Sequence, residues 1–341
     1  MAEFDNNNLF LTLLNQSPFS SGELKTLIST APQRYKNHFI EKRNGRGRRL
    51  ISQPTRELKG LQKSLLSIID EVIAPSAVAV AYRKGKSIKD HAAPHAKNSY
   101  LLKLDFKDFF PSIDWFTISH CFKETGKFSD DEIKIMNFIL CRYDSESISL
   151  RGSFKLSIGA PSSPPISNFI MRDFDETLEN FCKKESVTYT RYADDLALSC
   201  SIPRKLDEVK NFIASILDEK KYLNLFLNEG KTVNVSKKNK RSLVGIVLSN
   251  EGVISIGRDK KRLIRATLHK ASQGLLTEKQ LEKLKGHLSY YINIDRDFVY
   301  SLVGKYGFGS VSQVSFETIK YPEVFSARDN LFFGRDDGIP F

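Results

Sequence analysis

The 341-residue chain has only four cysteines, Cys121, Cys141, Cys182 and Cys200, and no C-x-x-C pair among them. That excludes a disulfide framework and a cysteine zinc site, and the thiols read as free in a reducing compartment. No apolar run approaches the roughly 18 to 20 residues of a membrane span. From Met1 to Leu14 the chain is polar and acidic before a short apolar patch. It lacks the basic start of a signal peptide and the arginines of a transit peptide, so the expected location is the cytoplasm, with no membrane partner. Repeats, low-complexity tracts and a Pro/Gly/Ser linker are lacking too, so no clean boundary divides the chain.

At about 150 residues per domain, the length predicts two domains or one multi-lobed one. An apolar fraction of 40% suffices for a sizeable core, and 27% charged residues indicate a globular rather than a disordered chain. Against 40 acidic residues stand 52 lysines and arginines, a formal charge of +12. This excess predicts a polyanionic partner, nucleic acid ahead of an anionic membrane surface.

The charge is uneven. Arg34, Lys36, Lys42, Arg43, Arg46, Arg48 and Arg49 crowd one stretch interrupted by Gly45 and Gly47, which predicts a basic loop or hairpin. A second basic zone runs from Lys231 through Lys237, Lys238, Lys240 and Arg241 to Arg258, Lys260, Lys261, Arg262 and Arg265. Leu58, Leu61, Leu65, Ile68, Ile69 and Val72 recur at helical spacing over Arg56 to Ile73. Further helices are predicted from Ser129, from Asn168 to Lys183 after a break at Pro161, Pro164 and Pro165, around Leu263 to Leu268, and from Thr277. Tyr100 to Phe106 reads as a strand. Val187 to Tyr192 and Leu196 to Ser199 read as a hairpin with Asp194 and Asp195 at its tip.

Asp105 ends one apolar strand and Asp194-Asp195 tips another, so pairing of those strands brings three carboxylates to one sheet edge. Such a cluster repels itself until cations neutralise it. Hard oxygen ligands select magnesium, and two such ions side by side serve phosphoryl transfer. Asp130-Asp131 is better explained as a helix start, and Asp336-Asp337 as a solvated tail. Gly85-Lys86-Ser87 is not a phosphate loop, because Val80 stands where its first glycine belongs.

Tyr192-Ala193-Asp194-Asp195 resembles the YxDD box of reverse transcriptases. Leu102-Lys103-Leu104-Asp105-Phe106 through Phe110-Pro111-Ser112-Ile113 resembles their first carboxylate motif. Gly159-Ala160-Pro161-Ser162-Ser163-Pro164 is similar to their GAPxSP loop, and Leu227-Asn228-Glu229-Gly230-Lys231-Thr232 to their lysine motif. The resemblance implies an α+β right-hand polymerase with fingers, a palm built on an antiparallel sheet, and a helical thumb. The corresponding division is an N-terminal helical extension over 1–34, fingers over 35–99, palm with inserted fingers elements over 100–256, thumb over 257–307 and a tail over 308–341. It further implies two Mg2+ ions held by Asp105, Asp194 and Asp195 with the Phe106 carbonyl. Nucleotide contacts would come from Arg48, Arg49, Phe110, Ile158, Gly159 and Lys231, with Phe110 facing the sugar and Lys231 protonating pyrophosphate. For Phe110, core packing is the competing reading, since one of Phe109 and Phe110 must face inward.

The flanks, from Gln53-Pro54-Thr55-Arg56 to Leu284-Lys285-Gly286-His287 and on to Tyr306, look most like bacterial retron reverse transcriptases. That likeness implies binding of a structured non-coding RNA, use of dNTPs, and a branched RNA–DNA product begun on a guanosine 2′-hydroxyl. It also implies an effector protein partner in antiphage defence. Arg83, Lys86, His95, Arg258, Lys261 and Arg265 are the expected nucleic-acid contacts. The chain departs from the pattern in three places: the N-A-x-x-H box stands as His91-Ala92-Ala93-Pro94-His95, the V-T-G box as Leu243-Val244-Gly245, and the usual glutamine before Gly159 is Ile158. No RNase H or endonuclease module is expected in this chain. Two other readings stay open, a non-retron defence-associated reverse transcriptase and a nucleic-acid-binding scaffold for a toxin or nuclease. The Phe-rich tail from Phe308 either packs on the thumb or docks an effector.

Overall fold

The computed structural model describes residues 7–42, 47–145, 147 and 153–306. The Phe-rich tail and residues 43–46 of the basic stretch lie outside the described residues. Helices α1 (Asn8–Asn15) and α2 (Ser21–Thr30) are followed by the strands β1 (Tyr35–Glu41) and β2 (Arg48–Pro54), then α3 (Arg56–Ile68) and α4 (Ile88–Ala92). Next come β3 (Tyr100–Asp105), α5 (Phe109–Ser112), α6 (Trp115–Glu124), α7 (Asp130–Leu140), and the short strands β4 (Arg142–Tyr143) and β5 (Phe154–Lys155). Helices α8 (Ser163–Ile170) and α9 (Arg172–Lys184) lead to β6 (Thr188–Tyr192), β7 (Asp195–Cys200) and α10 (Lys205–Glu219). The described chain closes with β8 (Val233–Ser236), β9 (Arg241–Leu243), β10 (Ile246–Leu248), β11 (Ile254–Ser255), α11 (Arg258–Ser272), α12 (Glu278–Ile292) and α13 (Arg296–Tyr306). No helix among the described residues is long and apolar enough to cross a membrane.

Two compact units result: Met1–Tyr82 with Leu104–Leu196 and Asp207–Thr232, and Arg83–Lys103 with Ala197–Leu206 and Val233–Phe341. In the first, the predicted stripe of α3 is buried through Leu58, Leu61 and Leu65. Each such side chain stabilises the fold by about 1.5–3 kcal/mol relative to exposure. Gln62, the polar residue in that stripe, is buried as well and donates to the Ile139 carbonyl at 2.9 Å. The start of α7 is a capping box: Ser129 accepts from the Glu132 amide, and the Glu132 carboxylate accepts from the Ser129 amide. The basic stretch forms the β1–β2 hairpin, antiparallel with Ile40 opposite Arg49 and Glu41 opposite Arg48.

One helix expected over Asn168 to Lys183 is in fact two. Helix α8 begins earlier, at Ser163, because prolines fit a helix's first turn, where their missing N–H is not needed. The chain then breaks at Met171 before α9.

Strands β6, β7, β3 and β8 lie in that order in a four-stranded sheet. Strand β8 is antiparallel to β3, with Tyr100 opposite Ser236 and Lys103 opposite Val233. A two-residue turn, Ala193-Asp194, joins β6 to β7, and Ala193 adopts the left-handed conformation at φ +58°.

In the second unit, α11, α12 and α13 pack with the three-stranded sheet β11-β10-β9 around Leu243, Ile246, Leu248, Ile264, Leu268, Leu284, Leu288 and Leu302. Arg241, a member of the second basic zone, is buried. Its guanidinium donates to the carbonyls of Asn98 and, at 2.8 Å, Ser249, so it serves the core and not a surface. The altered V-T-G box is the β9–β10 turn, with φ +41° at Val244 and φ +83° at Gly245. Positive φ at both positions suits a two-residue hairpin, although a β-branched valine is strained there.

Candidate active site

Asp105 is the last residue of β3, and the chain on both sides of it is tied down. The Phe106 amide donates to the Asp194 carbonyl at 3.1 Å, the Asn228 amide to the Asp105 carbonyl at 2.7 Å, and the Lys107 amide to the Phe226 carbonyl at 2.9 Å. The sheet thus sets the first carboxylate beside the hairpin turn on one side and the lysine-motif loop on the other. Lys231 Nζ lies 2.9 Å from both Asp105 carboxylate oxygens, and Asn228 Nδ2 donates to Oδ1 at 3.3 Å. Burial pushes the Asp194 carboxyl above its ordinary pKa, the Asp105 charge adds to the shift, and Lys231 and Arg49 oppose it. Asp195 starts β7 and is half-buried.

Around this pair stand several of the expected nucleotide contacts. Arg48 and Arg49 are exposed on β2, and Arg49 is close enough for its charge to act on both Asp194 and Tyr82. The Ser52 amide of β2 donates to the Ile158 carbonyl at 2.8 Å, and Ser157 Oγ donates to the Ser52 carbonyl at 3.2 Å. Gly159 follows at φ +116°, and a β-carbon there would stand 3.0 Å from the Ser52 carbonyl oxygen. Only glycine fits that approach. Phe109 is buried and stacks on Phe106 with ring centres 5.9 Å apart, whereas Phe110 is half-buried. The division between the two rings is therefore that Phe109 fills the core and Phe110 faces out.

Tyr82 was not among the expected contacts. Its ring centre lies 6.3 Å from that of Phe110, and its backbone is left-handed at φ +63°. The only sequence signal was an aromatic residue next to the basic turn Arg83-Lys84.

The remaining candidates lie in the second unit. Lys86 is exposed after Gly85, itself at φ +76°, and Arg83 is half-buried. His95, expected to touch nucleic acid, is instead fully buried, with Nδ1 2.7 Å from Ser199 Oγ and its ring edge-on to His91. Burial lowers the pKa of each imidazole to about 3, so both rings are neutral and serve the core. His91 lies on helix α4, which ends at Ala92, and the tight turn Ala93–His95 carrying Pro94 brings His95 to its distant partner Ser199. Arg258 and Arg265 are exposed on α11, with the Arg265 guanidinium 5.2 Å above the Phe298 ring. Lys261 is paired with Asp295 at 2.8 Å and lies 5.0 Å from the same ring. All four cysteines are free.

Residues 40–248 match the family model described as reverse transcriptase (RNA-dependent DNA polymerase). The chain is 33% identical over 304 residues to the Retron Ec83 reverse transcriptase of Escherichia coli, covering 88% of this chain and 95% of that one. To the Retron Ec86 reverse transcriptase of Escherichia coli it is 33% identical over 273 residues, covering 80% of each. Among solved structures, apo telomerase from Candida tropicalis matches 92% of this chain and 62% of its own, at 14% identity and a TM-score of 0.47.

Membership of this family implies use of a divalent metal ion. Among the described residues no three His, Cys, Asp or Glu side chains are assembled as a metal site. The donor chemistry nevertheless fits one: a strand-end carboxylate already draws a cationic ammonium onto both oxygens, and its neighbour's charged form is disfavoured by burial and then by the Asp105 charge. Oxygen-only donors of this kind suit a hard divalent cation. The α+β chain is thus a reverse transcriptase, an RNA-directed DNA polymerase of the right-hand fold, and belongs to the retron type.

Proposed function

We propose that the chain copies a structured non-coding RNA into a branched, RNA-linked single-stranded DNA, and that with an effector protein it acts in antiphage defence. The observation that supports this most is the backbone join between Phe106 and Asp194, which sets Asp105 and Asp194 side by side at a strand end. Asp105 and Asp194, with Asp195 and the Phe106 carbonyl, would hold two Mg2+ ions. Bound there, such ions supply activation of the attacking hydroxyl and charge neutralisation at the leaving pyrophosphate. The chain's own residues do the rest. Arg49, with Arg48, grips the triphosphate through its guanidinium fork. Ile158 and Gly159 pack under the nucleotide, where the glycine lets the backbone come close. Phe110 occupies the space of a 2′-hydroxyl and so selects dNTPs. Lys231, whose ammonium lies against Asp105, would deliver its proton to the pyrophosphate oxygen as the bond to the α-phosphorus breaks.

Residues 35–99 act as fingers, 100–256 as palm and 257–307 as thumb in this reading. Arg83, Lys86, Arg258, Lys261 and Arg265 contact the phosphates of the RNA and of its hybrid with DNA. The buried state of His95 argues for a supporting role behind that surface.

The test is to purify the protein from its host and sequence the bound nucleic acid after RNase and debranching treatment. Branched RNA-linked DNA is the expected result. Unbranched DNA would overturn the branched product in favour of DNA synthesis on another RNA, and bound RNA with no DNA at all would favour the role of a scaffold.

A further inference from the structure

Arg191 is fully buried and belongs to no motif used so far. Its side chain is used at both ends of the guanidinium. Nε and Nη2 form a fork on the Asp175 carboxylate at 2.8 Å and 2.7 Å, while Nη1 donates to Asn168 Oδ1 at 3.0 Å and to the Ala193 carbonyl at 3.1 Å. Asp175, also fully buried, accepts in addition from Tyr189 Oη and Ser76 Oγ, each at 2.7 Å. Burial works against the guanidinium's charge, but Asp175 outweighs it and holds the pKa of Arg191 above its ordinary value. The backbone joins in: the Arg191 amide donates to the Val78 carbonyl at 2.9 Å, and the Val80 amide to the Arg191 carbonyl at 2.8 Å. Asn168 Nδ2 donates to the Ala81 carbonyl at 2.9 Å, next to Tyr82.

A buried ion pair is weak grounds for stability, since well-packed apolar residues of like volume often serve as well or better. Direction is what this one supplies. The Ala193 carbonyl belongs to the peptide plane entering Asp194, and the Asp194 carbonyl belongs to the plane leaving it. Arg191 holds the first and the Phe106 amide, at 3.1 Å, holds the second. With both planes pinned, the backbone angles of Asp194 are set, and with them the direction of its carboxylate. Ala193 needs such support because its left-handed backbone is costly for a residue with a β-carbon.

We propose that Arg191, clamped by Asp175, is a positioning residue that aims the Asp194 carboxylate for metal binding. This rests on the reading of Asp194 as a metal ligand. Lysine at this position would keep the charge on Asp175 but has no second arm for Ala193 and Asn168.

The test compares the full-length protein with Arg191→Lys, Ser76→Ala, Asn168→Ala and Asp194→Asn. Three quantities are measured: Mn2+ binding to the protein without nucleic acid, by electron paramagnetic resonance; kcat and KM for dNTP on a primed RNA template; and the melting temperature. Arg191→Lys should weaken Mn2+ binding by about tenfold and lower kcat by a similar factor, the usual cost of losing an outer support of a metal ligand. The KM for dNTP should stay within about twofold, because no triphosphate contact is altered. Ser76→Ala removes a bond to the Asp175 oxygen that also accepts from Nη2 but leaves both arms of Arg191 in place, so it should lower the melting temperature and leave Mn2+ binding as in the wild type. If Arg191→Lys does not fold, Asn168→Ala, which removes one partner of Nη1, should shift Mn2+ binding in the same direction. Wild-type Mn2+ binding in the folded variant, or a shift in Ser76→Ala that follows its loss of melting temperature, would overturn the proposal. Should Asp194→Asn itself leave Mn2+ binding unchanged, the ligand reading falls; a shift there without one in the Arg191 network overturns the positioning role alone.

Discussion

Lowering the pH from 7.5 to 5 should remove about 2 kcal/mol of folding stability through His95 alone. The ring is fully buried against Ser199, and burial drops its pKa from 6.5 to about 3, with His91 adding to the shift. In the unfolded chain the imidazole takes up a proton below pH 6.5, whereas in the folded chain it stays neutral until about pH 3. Between those values the unfolded state binds the extra proton, so stability is complete above about pH 6.5 and falls as the pH drops. The slope approaches about 1.4 kcal/mol per pH unit per histidine, and His91, shifted likewise by burial and by Lys103, contributes an equal share. Urea unfolding at pH 7.5, 6 and 5 on wild type and His95→Gln isolates the term. An amide at this position can still bond to Ser199 but does not titrate in this range. The variant should lose some stability at pH 7.5, and its drop between pH 7.5 and 5 should be smaller than the wild-type drop by about 2 kcal/mol. Equal drops in the two proteins would refute the assignment of His95 as a neutral core histidine.

Three further outcomes are expected. Gly159→Ala forces a β-carbon against the Ser52 carbonyl at φ +116°, so it should shift the loop from β2, cost about 1–3 kcal/mol in urea unfolding, and raise the KM for dNTP. Phe110→Ala should raise ribonucleotide incorporation relative to dNTP on a primed RNA template, with little change in melting temperature, because the buried partner ring is Phe109. Lys231→Met removes the ammonium that competes for Asp105, so Mn2+ should bind the free protein more tightly while the rate of extension falls.

Strands β3, β6 and β7, the hairpin tip and the starts of α3, α7 and α12 were legible in the sequence because each has a local cause. Ser129 and Glu132 cap one another within a single turn, and Asp194 sits on a two-residue connection between apolar strands. Helix α8 was missed because prolines were read as breakers, when their place in the first turn makes them starters. The sequence alone gives His95 as a nucleic-acid contact and Arg241 as one of a basic run. Whether a polar side chain points inward depends on partners far along the chain, Ser199 for one and the carbonyls of Asn98 and Ser249 for the other. Tyr82 and Arg191 were missed for the same reason: their partners Phe110, Asp175 and Asn168 come from separate segments. Sequence order and spacing carried the family, and tertiary contacts carry the support beneath the site.

The most direct test of the central claim is primer extension on an RNA template by Asp105→Asn and Asp194→Asn proteins that melt like the wild type. Each substitution keeps the shape of the side chain and removes the charge that would hold a divalent cation. Extension with dNTPs should fall to background in both. DNA synthesis at wild-type rates in either folded variant would contradict the assignment of this strand-end carboxylate pair as the polymerising site.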